Sequence, residues 1–325
     1  MYWPTGTDGL ALSRLSHEIN SFAQYTNDLV NSVRPAVDAA IVSMSECVQS
    51  IWPEASVVCF GSFANGLWLP SSDIDVVIMG IPNEDINSKT SSKFLLGIKE
   101  QPWIQSIDVV RSAKVPVAKL VLLDSDLRMD ISIENVHTRL GIEASHVVRD
   151  YVDAIPTLYP MIIVLKQFLR EKGLNIAFTG GLSSYCVALM AAFFIQREGQ
   201  VEAPLSEVGQ LLLNFLEYYS MVFDYRTMGI SLKPEAFGEY MLAAHLTMTN
   251  GVPLMPKLVI DDPVYLDGQH NAAAGAFAIA RVIAAFENAF YAVSFHRATK
   301  FTPTPLCQML HWTGHSASLQ STPPS

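Results

Sequence analysis

Between residues 60 and 78 the chain runs Phe-Gly-Ser-Phe-Ala-Asn-Gly-Leu-Trp-Leu-Pro-Ser-Ser-Asp-Ile-Asp-Val-Val-Ile, and this stretch constrains its folding most. A β-type run, Ser56–Phe60, ends at the Gly61-Ser62 pair, and a second run, Ile74–Met79, opens inside Asp73-x-Asp75. Residues two apart in a strand share a face, so Asp73 and Asp75 project side by side. Carboxylates held together repel unless a cation lies between them, and an oxygen-only donor set suits Mg²⁺ or Mn²⁺, which also bind nucleotide phosphates. Gly61 lets the backbone approach a phosphate, and Ser62 offers an N–H and a hydroxyl to its oxygens. A second metal needs a carboxylate from another strand. Asp130, within Leu-Arg-Met-Asp-Ile-Ser at 127–132, supplies it, because an unpaired charge in so apolar a strand would be costly. A lone Asp-x-Asp is most often a solvated turn; the Gly-Ser pair upstream and Asp130 downstream turn this one into a metal site.

Around this block the pattern is helical. Leu10, Leu12, Leu15 and Ile19, and then Val33, Val37, Ile41 and Met44, recur at spacings close to a helical turn, which predicts two helices over 8–50, the second stopped by Trp52-Pro53. Further strands are expected at Ile107–Val110, Val117–Leu123 and Met129–Ile133. Helices are expected from about residue 145 onward, the best at Pro160–Lys172, Ser183–Gln196, Leu205–Phe223 and Ala273–Ser294. The fold class is α+β. Ser, Thr and Pro dominate the chain from Thr302 on, so residues 301–325 are expected to form a flexible tail.

Half of the residues are hydrophobic and 16% are charged, which supports a buried core and excludes wholesale disorder. No apolar run reaches membrane-spanning length, and the first residues lack the basic and apolar regions of a secretory signal, so an intracellular, soluble protein without membrane association is expected. The four cysteines lie far apart with no CxxC pair, which leaves no zinc-finger or disulfide framework. The net charge of −10 opposes general affinity for nucleic acid.

Lys166 and Arg170, four apart on an expected helix, share a face and could reach β- and γ-phosphates; a solvated basic face with Lys172 is the alternative. Thr179-Gly180-Gly181-Leu182-Ser183-Ser184-Tyr185 reads as a glycine turn running into a serine-capped helix.

Gly61-Ser62, Asp73/Asp75 and Asp130 match the signature of the DNA polymerase β-like nucleotidyltransferases. The wording GSFANGLWLPSSDIDVVI, VLKQFLREKGLN (164–175), FTGGLSSYCVALM (178–190) and IDDPVYLDGQHN (260–271) resembles the non-canonical poly(A) polymerases, particularly the TRAMP type, over about residues 15–295. That resemblance implies a polymerase β-like palm of mixed sheet with flanking helices (51–148). It also implies a mostly helical central domain (8–50 with 149–300), with the nucleotide in the cleft between them. It implies two Mg²⁺ or Mn²⁺ ions on Asp73, Asp75 and Asp130. The RNA 3′-hydroxyl then attacks the α-phosphate of ATP and pyrophosphate leaves.

By the same resemblance, Lys166 and Ser184 contact the triphosphate, Tyr185 stacks on the base, and Gly61, Ser62, Ser72, Ala144, Ser145 and Arg170 line the nucleotide. The loop Asp262 to Asn271 selects the base. Here the chain departs from the pattern: His270-Asn271-Ala272-Ala273-Ala274 replaces the ending of poly(A) polymerases, and His270-Asn271 is similar to uridylyltransferases. Ala144 leans the other way, because uridine-adding relatives carry Asn there. Adenylate addition is the expectation and uridylate addition its rival. Nucleotidyl transfer to a small molecule and an inactive scaffold of an RNA-processing complex are the other readings. The acidic charge calls for a separate RNA-binding subunit. A nuclear location follows from resemblance alone, and the residues do not distinguish nucleus, cytoplasm and organelle.

Overall fold

The structure, a computed structural model, describes residues 8–312 except 82–85, 112–114, 124, 126, 200–207, 244–246, 250–251, 254 and 266–269. It divides into two compact units. One is built on Thr26–Asp150, the other on the chain before Thr26 together with the chain from Tyr151 on.

The first unit is a five-stranded mixed sheet: β1 (Ser56–Phe60), β2 (Ile74–Met79), β3 (Ile104–Val110), β4 (Val117–Leu122) and β5 (Arg128–Ile133), in the order β1-β2-β5-β4-β3. Only β2 and β5 pair in parallel. Alternation puts Ile74, Val76, Ile78, Ala118, Leu120, Met129 and Ile131 on one face. That face is covered by Val37, Met44 and Val48 of helix α1 (Asp8–Ile51) and by Phe94, Leu95 and Ile98 of α3 (Lys89–Lys99). A short helix α2 (Gly61–Ala64) follows β1, and α4 (Val136–Ala154) follows β5.

Two expectations change here. Residues 8–51 form one helix of 44 residues that runs through Pro35 rather than two helices. Its residues from Thr26 onward belong to the sheet unit, since the aliphatic face of the sheet is closed by the helix's own apolar stripe. The sheet unit therefore begins before residue 51, at Thr26.

The second unit is mostly helical: α5 (Leu158–Glu171), α6 (Ser184–Gly199), α7 (Val208–Glu217), a π-turn (Tyr218–Val222) and α8 (Ile279–Ser294). Phe194, Phe215, Tyr219 and Phe286 pack edge-on or tilted at its centre. It also holds a small sheet that periodicity did not predict, with β6 (Met228–Ser231) between β7 (Gly238–Met241) and β10 (Ile260–Asp261), and a hairpin of β8 (Met248–Thr249) and β9 (Val252–Pro253).

Residues 301–312 do not form the expected tail. Leu306, Met309, Leu310 and Trp312 are buried, Trp312 packs edge-on against Phe22 at 5.5 Å, and the Leu306 N–H donates to buried Glu18. Four apolar side chains among the prolines and threonines outweigh the polar composition. Residues 313–325 lie outside the described residues. All four cysteines are free; burial pushes the Cys59 thiol up to about 11 and raises those of Cys47 and Cys186. Among the described residues no helix is long and apolar enough to cross a membrane.

Candidate active site

Strand register sets one row of residues across the sheet. Phe60 faces Asp75, Asp75 faces Asp130, Asp130 faces Lys119 and Lys119 faces Asp108. Residues paired this way point to one side, so Asp75, Asp130 and Lys119 occupy the face opposite the aliphatic core. Asp73, two residues before Asp75, joins them: the Lys119 ammonium lies 2.6 Å from an Asp130 oxygen and 3.5 Å from an Asp73 oxygen. Burial raises the Asp130 pKa, helped by the Asp73 charge and opposed by the bond from Lys119. Burial works against the Lys119 charge, but its bonds and its attraction to Asp130 and Asp73 outweigh that and raise its pKa.

The donor chemistry of the three aspartates fits a hard divalent cation. Lys119 is the cation that the structure shows among them, and no group of three His, Cys, Asp or Glu is drawn together as a metal cluster among the described residues. Sequence reasoning missed Lys119 and Asp108. The alternation of β4, with a lysine between Ala118 and Leu120, was the signal for the first.

Gly61 turns the chain from β1 into α2 with φ +64, and a Cβ there would come 2.3 Å from Asp75 Oδ2. Only glycine lets the turn and the carboxylate share that space. The Gly61 N–H donates to Ser145 Oγ (2.7 Å), and that hydroxyl donates to Gly141 O (2.7 Å). Ser145, predicted at the nucleotide, is therefore buried and committed to the turn; Ala144, beside it on α4, is half-buried. Ser62 is half-buried in α2. The Trp68 indole donates to Ser72 O (3.1 Å) and Asp73 O (3.3 Å), fixing the segment that leads into β2.

In the helical unit, Ser183 caps α6 by accepting the Cys186 N–H, which puts Ser184 and Tyr185 in its first turn. The Tyr185 hydroxyl donates to Asp262 Oδ1 (2.8 Å), and His270 Nδ1 lies 3.1 Å from Asp262 Oδ2. Burial and the Asp262 charge push the Tyr185 phenol far up. The His270 ring stacks on Tyr265 at 3.8 Å, nearly parallel. Lys233, unforeseen, anchors the loop through Asp261 Oδ1 (3.1 Å) and Tyr265 O (2.7 Å).

Asn271, predicted at the nucleotide, spends its amide on the backbone: Oδ1 accepts from Ile260 N and Ala273 N, and Nδ2 donates to Leu258 O. It shapes the loop. Lys166 is buried (6% exposed) and Arg170 half-buried on α5, which removes the reading of a fully solvated basic face. The structure thus gathers Tyr185, Asp262 and His270 in one unit, and Gly61, Asp73, Asp75, Asp130 and Ser145 in the other.

Residues 17–153 match the family described as "Poly(A) RNA polymerase, mitochondrial-like, central palm domain", and residues 207–267 match the "Cid1 family poly A polymerase". The chain is 34% identical over 260 residues to the inactive non-canonical poly(A) RNA polymerase protein Trf4-2 of Drosophila melanogaster (78% of this chain, 62% of that one). It is 32% identical over 263 residues to the poly(A) RNA polymerase cid14 of Schizosaccharomyces pombe (78% and 37%). With the poly(A) RNA polymerase protein 1 of Eremothecium gossypii it shares 29% over 280 residues, spanning 44% of that protein's length. The chain thus spans between 28% and 62% of the length of these and other curated relatives it matches. Its fold superposes on the polymerase core of TRAMP, an RNA surveillance complex, with a TM-score of 0.74, 26% identity and 92% and 94% of the two chains covered. The Cid1 poly(U) polymerase shares the fold, with a TM-score of 0.67, 19% identity and 89% and 98% covered.

Proposed function

As a member of the non-canonical poly(A) RNA polymerases, within the nucleotidyltransferase superfamily, this chain is one that we propose adds nucleotides to RNA 3′ ends without a template, with ATP as donor. The observation that carries the reading is the row in which Asp75 and Asp130 face each other on parallel strands, with Asp73 drawn in and Gly61 leaving room for Asp75. The named poly(A) polymerases among its relatives support adenylate.

Asp73, Asp75 and Asp130 would hold two Mg²⁺ or Mn²⁺ ions. Bound there, the ions supply a lowered pKa for the attacking hydroxyl and charge neutralisation for the leaving pyrophosphate. The chain's own residues do the positioning. Ser145 fixes the Gly61 turn, so that backbone can approach phosphate beside Asp75. Lys119 holds Asp130 and Asp73 together from the next strand. Ser184 and Tyr185 engage the nucleotide, and Asp262 sets the orientation of Tyr185 and His270.

Uridylate is the second reading, favoured by His270 standing stacked and hydrogen-bonded in the loop. An inactive scaffold, the state named for the Drosophila relative, is opposed by the presence of all three aspartates. The RNA-binding subunit and the nuclear location implied by the TRAMP likeness belong to the same proposal.

The test is primer extension on short single-stranded RNA with each nucleotide alone and then all four, in Mg²⁺ or Mn²⁺. Extension with ATP that vanishes in D73A/D75A supports the proposal. Preference for UTP selects the second reading, and no extension by the wild type leaves the scaffold.

A further inference from the structure

Phe178 and Phe277 are 92% and 73% exposed, although each is a large apolar ring. Phe178 stands in the 3₁₀ turn Ala177–Thr179, which follows Ile176, itself 51% exposed. Phe277 stands in the loop that leads into α8. The two loops are locked together, with Ala278 N–H donating to Gly180 O at 3.0 Å. Both close up on glycine. A Cβ on Gly180 would come 2.6 Å from the Phe277 ring, and one on Gly275 would come 3.2 Å from Ala177 Cβ. The Phe277 ring therefore rests on Gly180 while most of its surface faces water.

The same unit carries a surface hollow of about 450 Å³, lined by Phe168, Leu174, Asn288, Gln308 and two cations, Lys172 and Arg281. The Arg281 N–H donates to Ala278 O, one residue from Phe277, and Leu174 O accepts the Leu182 N–H of the glycine turn. Both cations are exposed and neither pairs with a carboxylate among the described residues; the Lys172 ammonium lies over the Phe168 ring, 5.7 Å from its centroid.

Exposed π-faces with exposed cations close by in the chain are the chemistry of a single-stranded nucleic-acid platform: bases stack on the rings and phosphates meet the cations. The combination of rings and cations favours a single strand, whose bases and phosphates use both. The turn also continues directly through Gly181 into Ser184 and Tyr185, the residues assigned above to the nucleotide. We propose that Phe178 and Phe277, with Lys172 and Arg281, form a stacking platform for the RNA strand being extended. This rests on the reading of the chain as an RNA-extending transferase.

Fluorescence polarisation with a 5′-labelled oligoadenylate of about 15 nucleotides tests it on the full chain, with extension of the same RNA by the wild type measured in parallel. F178A/F277A is expected to weaken binding by about tenfold or more. F178W/F277W should bind at least as well as the wild type, and F178L/F277L should fall with the alanine pair. F301A, which removes a phenylalanine 86% exposed elsewhere in the same unit, is the control and should bind unchanged. Wild-type affinity in the alanine pair overturns the proposal. So does wild-type affinity in the leucine pair, which would make the patch an apolar surface for a protein. If the wild type extends RNA while the ring variants bind it unchanged, only this inference fails; if the wild type neither binds nor extends RNA, the transferase reading fails with it.

Discussion

At Gly61 a backbone demand and a side-chain demand fall on one residue. The φ of +64 disfavours any side chain by about 1–2 kcal/mol, and the Cβ that alanine would add lies 2.3 Å from Asp75 Oδ2. Of the two, the clash matters more for chemistry, because relief requires the Asp75 carboxylate to move. Gly61→Ala is therefore expected to lower the melting temperature modestly and the turnover by about a hundredfold or more. Single-turnover extension beside a thermal melt separates the two; an unchanged rate would mean that the Asp75 position is not critical. Asp262 presents the complementary case. It is buried and accepts from Tyr185 and His270 together. Asp262→Asn retains one acceptor and turns the other into a donor, so Tyr185 or His270 must turn from donating to accepting or give up its bond, and the charge that orders the loop is gone. We expect the KM for nucleotide to rise about tenfold with kcat changed less, and stability to fall by about 1–3 kcal/mol. A KM left at the wild-type value would confine Asp262 to folding the loop.

At the scale of elements, β1, β2, β4 and β5 were legible nearly to the residue, because period-two alternation and Gly, Pro and Asp boundaries agree there. From them the facing of Asp73 and Asp75 followed, while the pairing of Asp75 with Asp130 needed the strand order, which no local pattern encodes. α3 was missed because its first turns are Lys-Thr-Ser-Ser, and β6, β7 and β10 because two to four residues are too few to show a period. That Ser145 and Asn271 bind the backbone was not legible, since a polar residue in a motif reads the same whether it binds a ligand or the backbone. The π-turn at Tyr218–Val222 also escaped periodicity, and it carries its own prediction. It packs Tyr218 and Tyr219 with Tyr225 of the following loop in a cluster whose phenols burial pushes upward, Tyr218 additionally by the bond to Glu239. A phenol raised in the folded state stabilises fully below its unfolded pKa of about 10 and ceases to do so as pH climbs beyond it. The denaturant midpoint should thus begin to fall as pH rises past about 10 and keep falling above it, and less steeply in Tyr225→Phe. Equal slopes in both proteins would remove the cluster from the alkaline transition.

For the whole molecule the governing quantity is charge. Thirty-one acidic residues against 21 basic ones leave the protein at −10, so long-range attraction cannot gather RNA onto it. Whatever affinity it has must come from short-range contacts, and stacking on Phe178 and Phe277 depends little on salt. If Lys172 and Arg281 are the cations that meet phosphate, two counterions are released, and the slope of log affinity against log salt for a single strand should be about −1.4. A true basic groove with six or more contacts would give a slope of about −4 or steeper. The same arithmetic bears on the proposed extension of RNA. With so little electrostatic hold, each addition should be followed by release, giving short, evenly distributed products from the chain alone. A basic RNA-binding partner supplied in trans should lengthen the products and steepen the salt slope together, because it adds phosphate contacts to the two expected here. Titrating salt in a binding assay and following product length with limiting primer checks both. Long products from the isolated chain at physiological salt, combined with a steep slope, would show that it holds RNA by charge after all, and would remove the reason to expect a partner.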